Sequence, residues 1–314
     1  MRDAFSDTLV DLARTDPNVL LLTGDHGYAL FDPFRRHCPV QYINAGIAEQ
    51  NMVGMAAGLA RAGFRPFVYG LSAFVPVRVL EQIKLDVAHD NLPVVFIGDG
   101  AGFVYSHLGT SHQSMEDIAC TRAIPQLAVY SPADRFEVEM CMRAAYDGRS
   151  PAYLRMGKSD RGDVHAAAPT ASAGALLRVR AGTSRGLALV ATGSMVRTAL
   201  DLANGAYADA SVWSVPVLKP IDADQVAALC AGNNVVVTLE EHSVLGGLGS
   251  LIAEIAAEHV PTRILRIGVN DRFSEHCGRY EYLLREHGLD IESVRARIDA
   301  FLLSTPGQRT GTHG

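Results

Sequence analysis

The sequence predicts an α/β protein built of two doubly wound domains, on three observations. Short apolar runs alternate with amphipathic stretches along nearly the whole chain, the pattern of parallel strands covered by helices. Its 314 residues suffice for two such domains, each with a core of its own. Between the halves, SDRGDVHAAAPTASAG at 159–174 breaks the alternation with Ala, Gly, Ser and Pro and no periodicity, as a linker does. The expected division is a first domain over 1–160, a linker over 161–173, a second domain over 174–304 and a polar, disordered tail over 305–314.

Taken in order, the apolar runs of the first half predict strands at 19–23, 41–43, 66–70, 93–97, 126–130 and 152–155. The amphipathic stretches between them predict helices at 48–62, 75–89, 115–123 and 133–146. The second half repeats the style without repeating the sequence. Its strands are expected at 187–191, 211–214, 235–239 and 263–267, and its helices at 195–204, 223–230, 248–258, 280–286 and 291–303.

Composition narrows the function by exclusion. A formal net charge of −6, and no basic stripe interleaved with aromatics, argue against nucleic acid and membrane surfaces as partners. The N-terminal MRDAFSDTLVDLARTD sets acids within its apolar pattern and lacks a signal-peptide core, and no apolar stretch is long enough to span a bilayer. A cytoplasmic location is the expectation. Five scattered cysteines, none in a CxxC pair, indicate neither a zinc knuckle nor a disulfide framework. No metal site is expected on this chain.

The most informative segment is INAGIAEQNMVGMAAGLA at 43–60, which runs from a strand through a small-residue turn into a helix of Gly and Ala. Such a helix lets another backbone or a cofactor ring approach closely. Glu49 opens it in an apolar neighbourhood, where desolvation favours a neutral carboxyl and the helix N-terminus an anionic one. Read locally, a first-turn acid that stabilises its own helix is the better account of Glu49.

Resemblance adds what local physics leaves open. GIAEQNMVGMAAGLA resembles the segment around the catalytic glutamate of transketolases and 1-deoxyxylulose-5-phosphate synthases, and the likeness extends from Gly24 and Asp25 to the EEH of 240–242. It implies two domain types, a pyrimidine-binding domain for thiamine diphosphate followed by a transketolase C-terminal domain. It also implies that Glu49 hydrogen-bonds the aminopyrimidine ring nitrogen, favouring the imino tautomer that takes the proton from the thiazolium carbon. FVYGLSAFVPVRVLEQIKLD at 67–86 resembles the pyrimidine-pocket strand and the helix after it. There Phe74 matches the aromatic that stacks on the ring, with Leu71 and Ile47 beside it as apolar pocket residues. Leu71 and Val77 stand where many transketolases carry further aromatics. GDHGYALFDPFRRH at 24–37 resembles a loop that walls the cofactor site at the dimer contact, which brings in Asp25.

GDGAGFVYSHLGTSHQSMED at 98–117 carries two signals. Its SHQ resembles the substrate-channel motif, so His112 is expected to serve a substrate oxygen. Its GDG is a decoy. In thiamine enzymes GDG followed roughly 25 to 30 residues later by Asn marks the magnesium–diphosphate site, and the window 123–132 holds no Asn. Gly100 and Leu108 stand where sugar-phosphate transketolases hold a His and an Asp, a departure from the ordinary substrate set. PAYLRMGK at 151–158 resembles the strand end that meets substrate phosphate, making Arg155 and Lys158 candidates. LEEHSVLGGLGSLIAEIAAE at 239–258 resembles a strand-to-helix turn of the third domain, and its acids and His242 read as structural.

The resemblance thus implies half an enzyme. The chain would take thiamine diphosphate with Mg2+ only beside a complementary subunit carrying the diphosphate-binding domain and the metal ligands, in an α2β2 assembly. The reaction implied is transfer of a two-carbon ketol unit from a ketose-like donor to an aldehyde acceptor. Two alternatives are the β subunit of a 2-oxoacid dehydrogenase, which shares the domain plan, and a non-catalytic scaffold of the same fold.

Overall fold

The computed structural model describes residues 1–158, 160–170, 174–183 and 185–304. Twelve described strands form two sheets. The first domain supplies β1 (Val19–Thr23), β2 (Tyr42–Asn44), β3 (Arg65–Leu71), β4 (Val95–Asp99), β5 (Ala128–Tyr130) and β6 (Ala152–Met156). All their mutual pairings are parallel. The second supplies β7 (Leu177–Arg180), β8 (Leu187–Ala191), β9 (Ser211–Ser214), β10 (Val217–Lys219), β11 (Val235–Ser243) and β12 (Arg263–Val269). Both domains are doubly wound α/β units, as the alternation predicts.

The helices of the first domain are α1 (Arg2–Thr15), α2 (Asp32–His37), α3 (Glu49–Arg61), α4 (Leu80–Gln82), α5 (Asp117–Arg122) and α6 (Arg135–Asp147). Those of the second are α7 (Met195–Asn204), α8 (Ala223–Ala231), α9 (Leu248–His259), α10 (Tyr280–Glu286) and α11 (Ile291–Leu303). None is long and apolar enough to cross a membrane. Strand β1 shows why the apolar runs are unbroken: both faces of the sheet are covered. Leu20 and Leu22 pack with Met52, Val53 and Ala56 of α3, while Val19 and Leu21 pack with Phe5 and Leu9 of α1 and Met142 of α6.

The structure departs from the expected elements for local and for tertiary reasons. The expected helix over 75–89 is three pieces instead. A 3-10 turn at Val77–Val79 leads into α4, which continues as a π-helix over Ile83–Ala88. Pro76 has no amide hydrogen to give, so the regular ladder begins only after it. Helices α1 and α2 and strands β7 and β10 go beyond the expected set. In α1 the signal is present, since Phe5, Leu9 and Leu12 recur at helical spacing and all three are buried. Strand β10 has no such signal: three residues long, it leaves its own domain and pairs antiparallel with β5, at the edge of the first sheet. The halves are therefore joined by backbone hydrogen bonds as well as by the linker.

That linker is anchored over the part the structure describes. Asp134 caps α6 through one carboxylate oxygen, which accepts from the amides of Phe136 and Glu137. Its other oxygen accepts from the amides of Val164 and His165. The His165 ring then meets the fully buried Glu137 at 2.7 Å, and Arg161 donates to Thr198 on α7 at 2.9 Å. The expected disordered tail, 305–314, lies outside the described residues.

Burial pulls the His165 imidazole downward, but its hydrogen bond and charge attraction to Glu137, helped by Asp134, hold it above its ordinary value. A raised folded value means the protonated ring stabilises the fold. That contribution is complete below the unfolded value of about 6.5 and fades as pH rises through the folded one. His165→Gln is therefore expected to lower the melting temperature most in mild acid and least above neutrality. A difference that does not change with pH would show that the ring's charge contributes nothing.

Candidate active site

In a parallel sheet with helices on both faces, ligands meet the carboxyl ends of the strands, and the sequence candidates follow those ends. Asp25 comes after β1, Glu49 after β2, Phe74 after β3, His112 after β4 and Lys158 after β6. Glu49 is the first residue of α3 and is buried, in spite of being ionisable. The helix N-terminus beside it offers positive potential to an acid. Its carboxylate accepts from Nη1 of Arg78 at 3.1 Å. The Arg78 guanidinium in turn lies over the Phe74 ring, 4.0 Å from its centroid. On the same ring His112 sits edge-on, 5.4 Å away at 67°. Glu49 and Phe74, named separately from the sequence, meet at one cation, and His112 packs against the Phe74 ring.

The turn that carries Phe74 is built with little freedom. Leu71 closes β3, and its carbonyl accepts from the amides of Phe74 and Val75 at 2.8 Å each. The amide of the buried Ser72 donates to the Asp99 carbonyl. Its hydroxyl lies 2.8 Å from that of Ser114 and 3.0 Å from that of Tyr153. Ser114 is two residues beyond His112, so one hydroxyl contact ties the Phe74 turn to the His112 loop. Tyr153 donates to Asp117 at 2.7 Å, and Arg155 donates to the same carboxylate at 2.8 Å.

Arg155 itself is 2% exposed. Besides Asp117 it donates to the carbonyls of Ser114 and Glu241, the latter at 2.7 Å in the second domain. The expected contact with substrate phosphate is replaced here by a buried joint between loops and domains, because every face of the guanidinium is enclosed by protein. Complete burial pulls the Asp117 carboxyl upward, yet Arg155, His242 and the Tyr153 hydroxyl outweigh it and hold it below the ordinary carboxylate range. Lys158 remains partly open, 3.0 Å from Asp160. Asp25 is exposed and accepts from the Tyr28 hydroxyl, Leu71 is half-buried, and Ile47 is 73% exposed with no cover from this chain.

The GDG triplet finds a structural use. Asp99 is buried and accepts from the hydroxyls of Tyr69 at 2.8 Å and Tyr105 at 2.9 Å, with Arg2 at 3.5 Å. Gly100 follows at φ +75°, where a Cβ would collide with the Tyr105 ring, so the aromatic fills the place a side chain at 100 would need. Leu108 is half exposed. Among the described residues no three His, Cys, Asp or Glu side chains gather as metal ligands do.

Against known families, residues 1–162 match the transketolase pyrimidine-binding domain and residues 174–294 match the transketolase C-terminal domain. The chain belongs to the transketolase family. Among curated relatives it is 33% identical to one of the subunits of the apulose-4-phosphate transketolase of Phocaeicola vulgatus, over 93% of this chain and 94% of that one. It is 34% identical to a 6-deoxy-6-sulfo-D-fructose transketolase subunit of Clostridium sp., over 94% and 92%. Among solved structures it superposes with a TM-score of 0.86 on a split gene transketolase described as an inactive beta4 tetramer, at 32% identity over 96% and 97% of the two chains. These relatives favour the transketolase reading over that of a dehydrogenase.

Within this transketolase chain the sequence reading missed Arg78 and the residues that fix the site from below. Arg78 had a signal, as the one cation in the apolar turn FVPVRV. Ser72, Ser114, Asp117 and Tyr153 had none, because their partners are 36 to 81 residues away in sequence. The acids of the EEH segment are structural, as expected. Glu241 accepts from the Phe103 amide and from the hydroxyls of Ser194 and Tyr280. Glu240 accepts from the amides of Leu248 and Gly249 at the start of α9.

Arg155→Met retains bulk and removes the charge, leaving Asp117 buried without its counter-ion. The expected cost is about 3–5 kcal/mol, read as a lower urea midpoint at unchanged slope. A cost of about 1 kcal/mol or less, as for a surface pair, would reject the buried-joint role.

Proposed function

We propose that this chain supplies the pyrimidine side of a thiamine-diphosphate site in a split transketolase, and that a partner subunit with the diphosphate-binding domain completes it. The observation that carries this is the convergence of Glu49 and Phe74 on a single flat cation. The space between them accepts a planar, nitrogen-bearing group that donates to the carboxylate and stacks on the ring, which are the demands of an aminopyrimidine. In this reading Glu49 holds a proton at the pyrimidine ring nitrogen, Phe74 orients the ring, and Leu71 and Ile47 exclude water from its edges. When bound, the cofactor supplies the carbon nucleophile for two-carbon transfer. His112, against the Phe74 ring, hydrogen-bonds a substrate oxygen, and Lys158, paired with Asp160 and partly exposed at the β6 end, is the cation for an anionic substrate group.

The reaction proposed is transfer of a ketol unit from a ketose-like donor to an aldehyde acceptor, in a cytoplasmic α2β2 assembly. The domain division proposed is 1–160 and 174–304. Mg2+ and the diphosphate are assigned to the partner, since Asp99 of the GDG triplet is engaged by two phenols. Support for a partner comes from the outer face of α3. A Cβ at Gly54 or Gly58 would meet nothing within 4 Å, so these glycines answer no packing need inside the chain. They leave the helix backbone open to close approach, next to the exposed Ile47.

Two outcomes test the proposal. Glu49→Ala is expected to leave the melting temperature of the chain near that of wild type while cutting turnover of the assembled enzyme by at least about 100-fold. Unchanged turnover would reject the assigned role. In calorimetry the isolated chain is expected to bind thiamine diphosphate poorly, because half of the cavity is lacking. Tight magnesium-dependent binding by the chain alone would contradict the need for a partner.

A further inference from the structure

We infer that Arg78 is a stand-in for the cofactor ring: in the unassembled chain its guanidinium fills the pyrimidine's seat between Glu49 and Phe74, and it must swing out before that ring can bind. This deepens the pyrimidine-side reading and rests on it. A ring that both stacks on Phe74 and reaches the Glu49 carboxylate has to bridge the two, and Arg78 already bridges them. The likeness is chemical as well as spatial. A guanidinium is flat, presents a π face to an aromatic ring and points N–H donors in its plane at a carboxylate. A 4-aminopyrimidine protonated at the ring nitrogen across from its amino group is likewise flat and turns one in-plane N–H to the carboxylate, as Nη1 of Arg78 does.

The surroundings of Arg78 suit a temporary occupant. Its side chain is 42% exposed, whereas that of Glu49 is 6% exposed. It projects from the 3-10 turn at Val77–Val79, and among the described residues Glu49 is the one hydrogen-bond acceptor of its guanidinium. Rotation about its own side-chain bonds releases it to solvent with the backbone in place. While seated, it supplies a counter-charge to a carboxylate that would otherwise be buried alone. Thiamine diphosphate or any pyrimidine arriving at the unassembled chain competes with a group tethered to the same turn, so its affinity falls by the fraction of time the seat is taken. Arg78 is thus a positioning residue for Glu49 in the free chain and a barrier to premature cofactor capture.

The test uses the isolated full-length chain and 4-amino-5-hydroxymethyl-2-methylpyrimidine, the cofactor's ring without its diphosphate, titrated by calorimetry. Arg78→Ala is expected to bind this probe about ten-fold more tightly than wild type. Arg78→Lys should fall between them, since an ammonium keeps the charge and loses the flat face. Adding Phe74→Ala or Glu49→Gln to Arg78→Ala should abolish the gain. Thermal melts on each variant report whether it is folded. Equal affinity in folded wild-type and Arg78→Ala chains overturns the stand-in. If Glu49→Ala nevertheless abolishes turnover of the assembled enzyme, the pyrimidine-side reading survives that result. A gain that Phe74→Ala and Glu49→Gln leave untouched puts the probe elsewhere, and both readings fall together.

Discussion

The geometry of the candidate site depends on the buried ion pair between Arg155 and Asp117. Arg155 lies on the last parallel strand of the first domain, and Asp117 opens the helix that follows the His112 loop. Both side chains are at most 2% exposed. Bringing two charges out of water is offset only when the remaining donors and acceptors are also satisfied. The guanidinium also donates to the carbonyls of Ser114 and Glu241, and Tyr153 joins Arg155 at Oδ2 of Asp117, while the buried Oδ1 finds no partner among the described residues. Those two carbonyls belong to the His112 loop and to the second domain. One ion pair therefore sets loop position, domain orientation and, through Tyr153 and Ser72, the turn bearing Phe74.

Charge inside the second domain serves the same joint. Burial pushes Glu240 up to about 7 and His242 down to about 4, in spite of their separation by a single residue. Glu240 is held by two amides at the N-terminus of α9, which tether the start of that helix to the end of β11. His242 accepts from the Ala119 amide across the domain boundary at 3.3 Å. Glu241 reaches back to the Phe103 amide in the GDG-to-SHQ segment. Three consecutive side chains thus divide their work between holding their own domain and gripping the first, which explains buried ionisable groups at the end of this strand.

Much of this was legible in the sequence, and the limits have physical causes. Strands such as 19–23 and 187–191 coincide with the structure because burial on both faces demands unbroken apolar runs. Glu49, Phe74 and His112 could be named because each lies in a local motif at a strand end. The motif for Arg155 pointed to phosphate, yet the structure encloses that guanidinium. Sequence shows that an arginine is present and not whether a buried acid awaits it. Nor could periodicity find β10, which is three residues long and defined by a partner strand from the other domain. The pattern near Phe74 predicted one helix; the proline within it delays the regular ladder, and the segment folds as a 3-10 turn, a short α-helix and a π-helix.

The same distinction bears on Arg78. A fold can place a carboxylate and an aromatic face so that a ligand will fit them, but it cannot leave the carboxylate buried and unpaired until the ligand comes. Burying Glu49 without a counter-charge would cost more than the helix N-terminus returns. In this chain Arg78 supplies that counter-charge, with a flat face on Phe74 and an N–H on Glu49. That partner must be held weakly enough to leave. A long cation anchored at one end on a short turn meets both conditions, and a second buried arginine like Arg155 would meet only the first. The two arginines differ in this structure by exposure and by the number of acceptors they hold, and those two quantities separate a joint that must persist from an occupant that must yield.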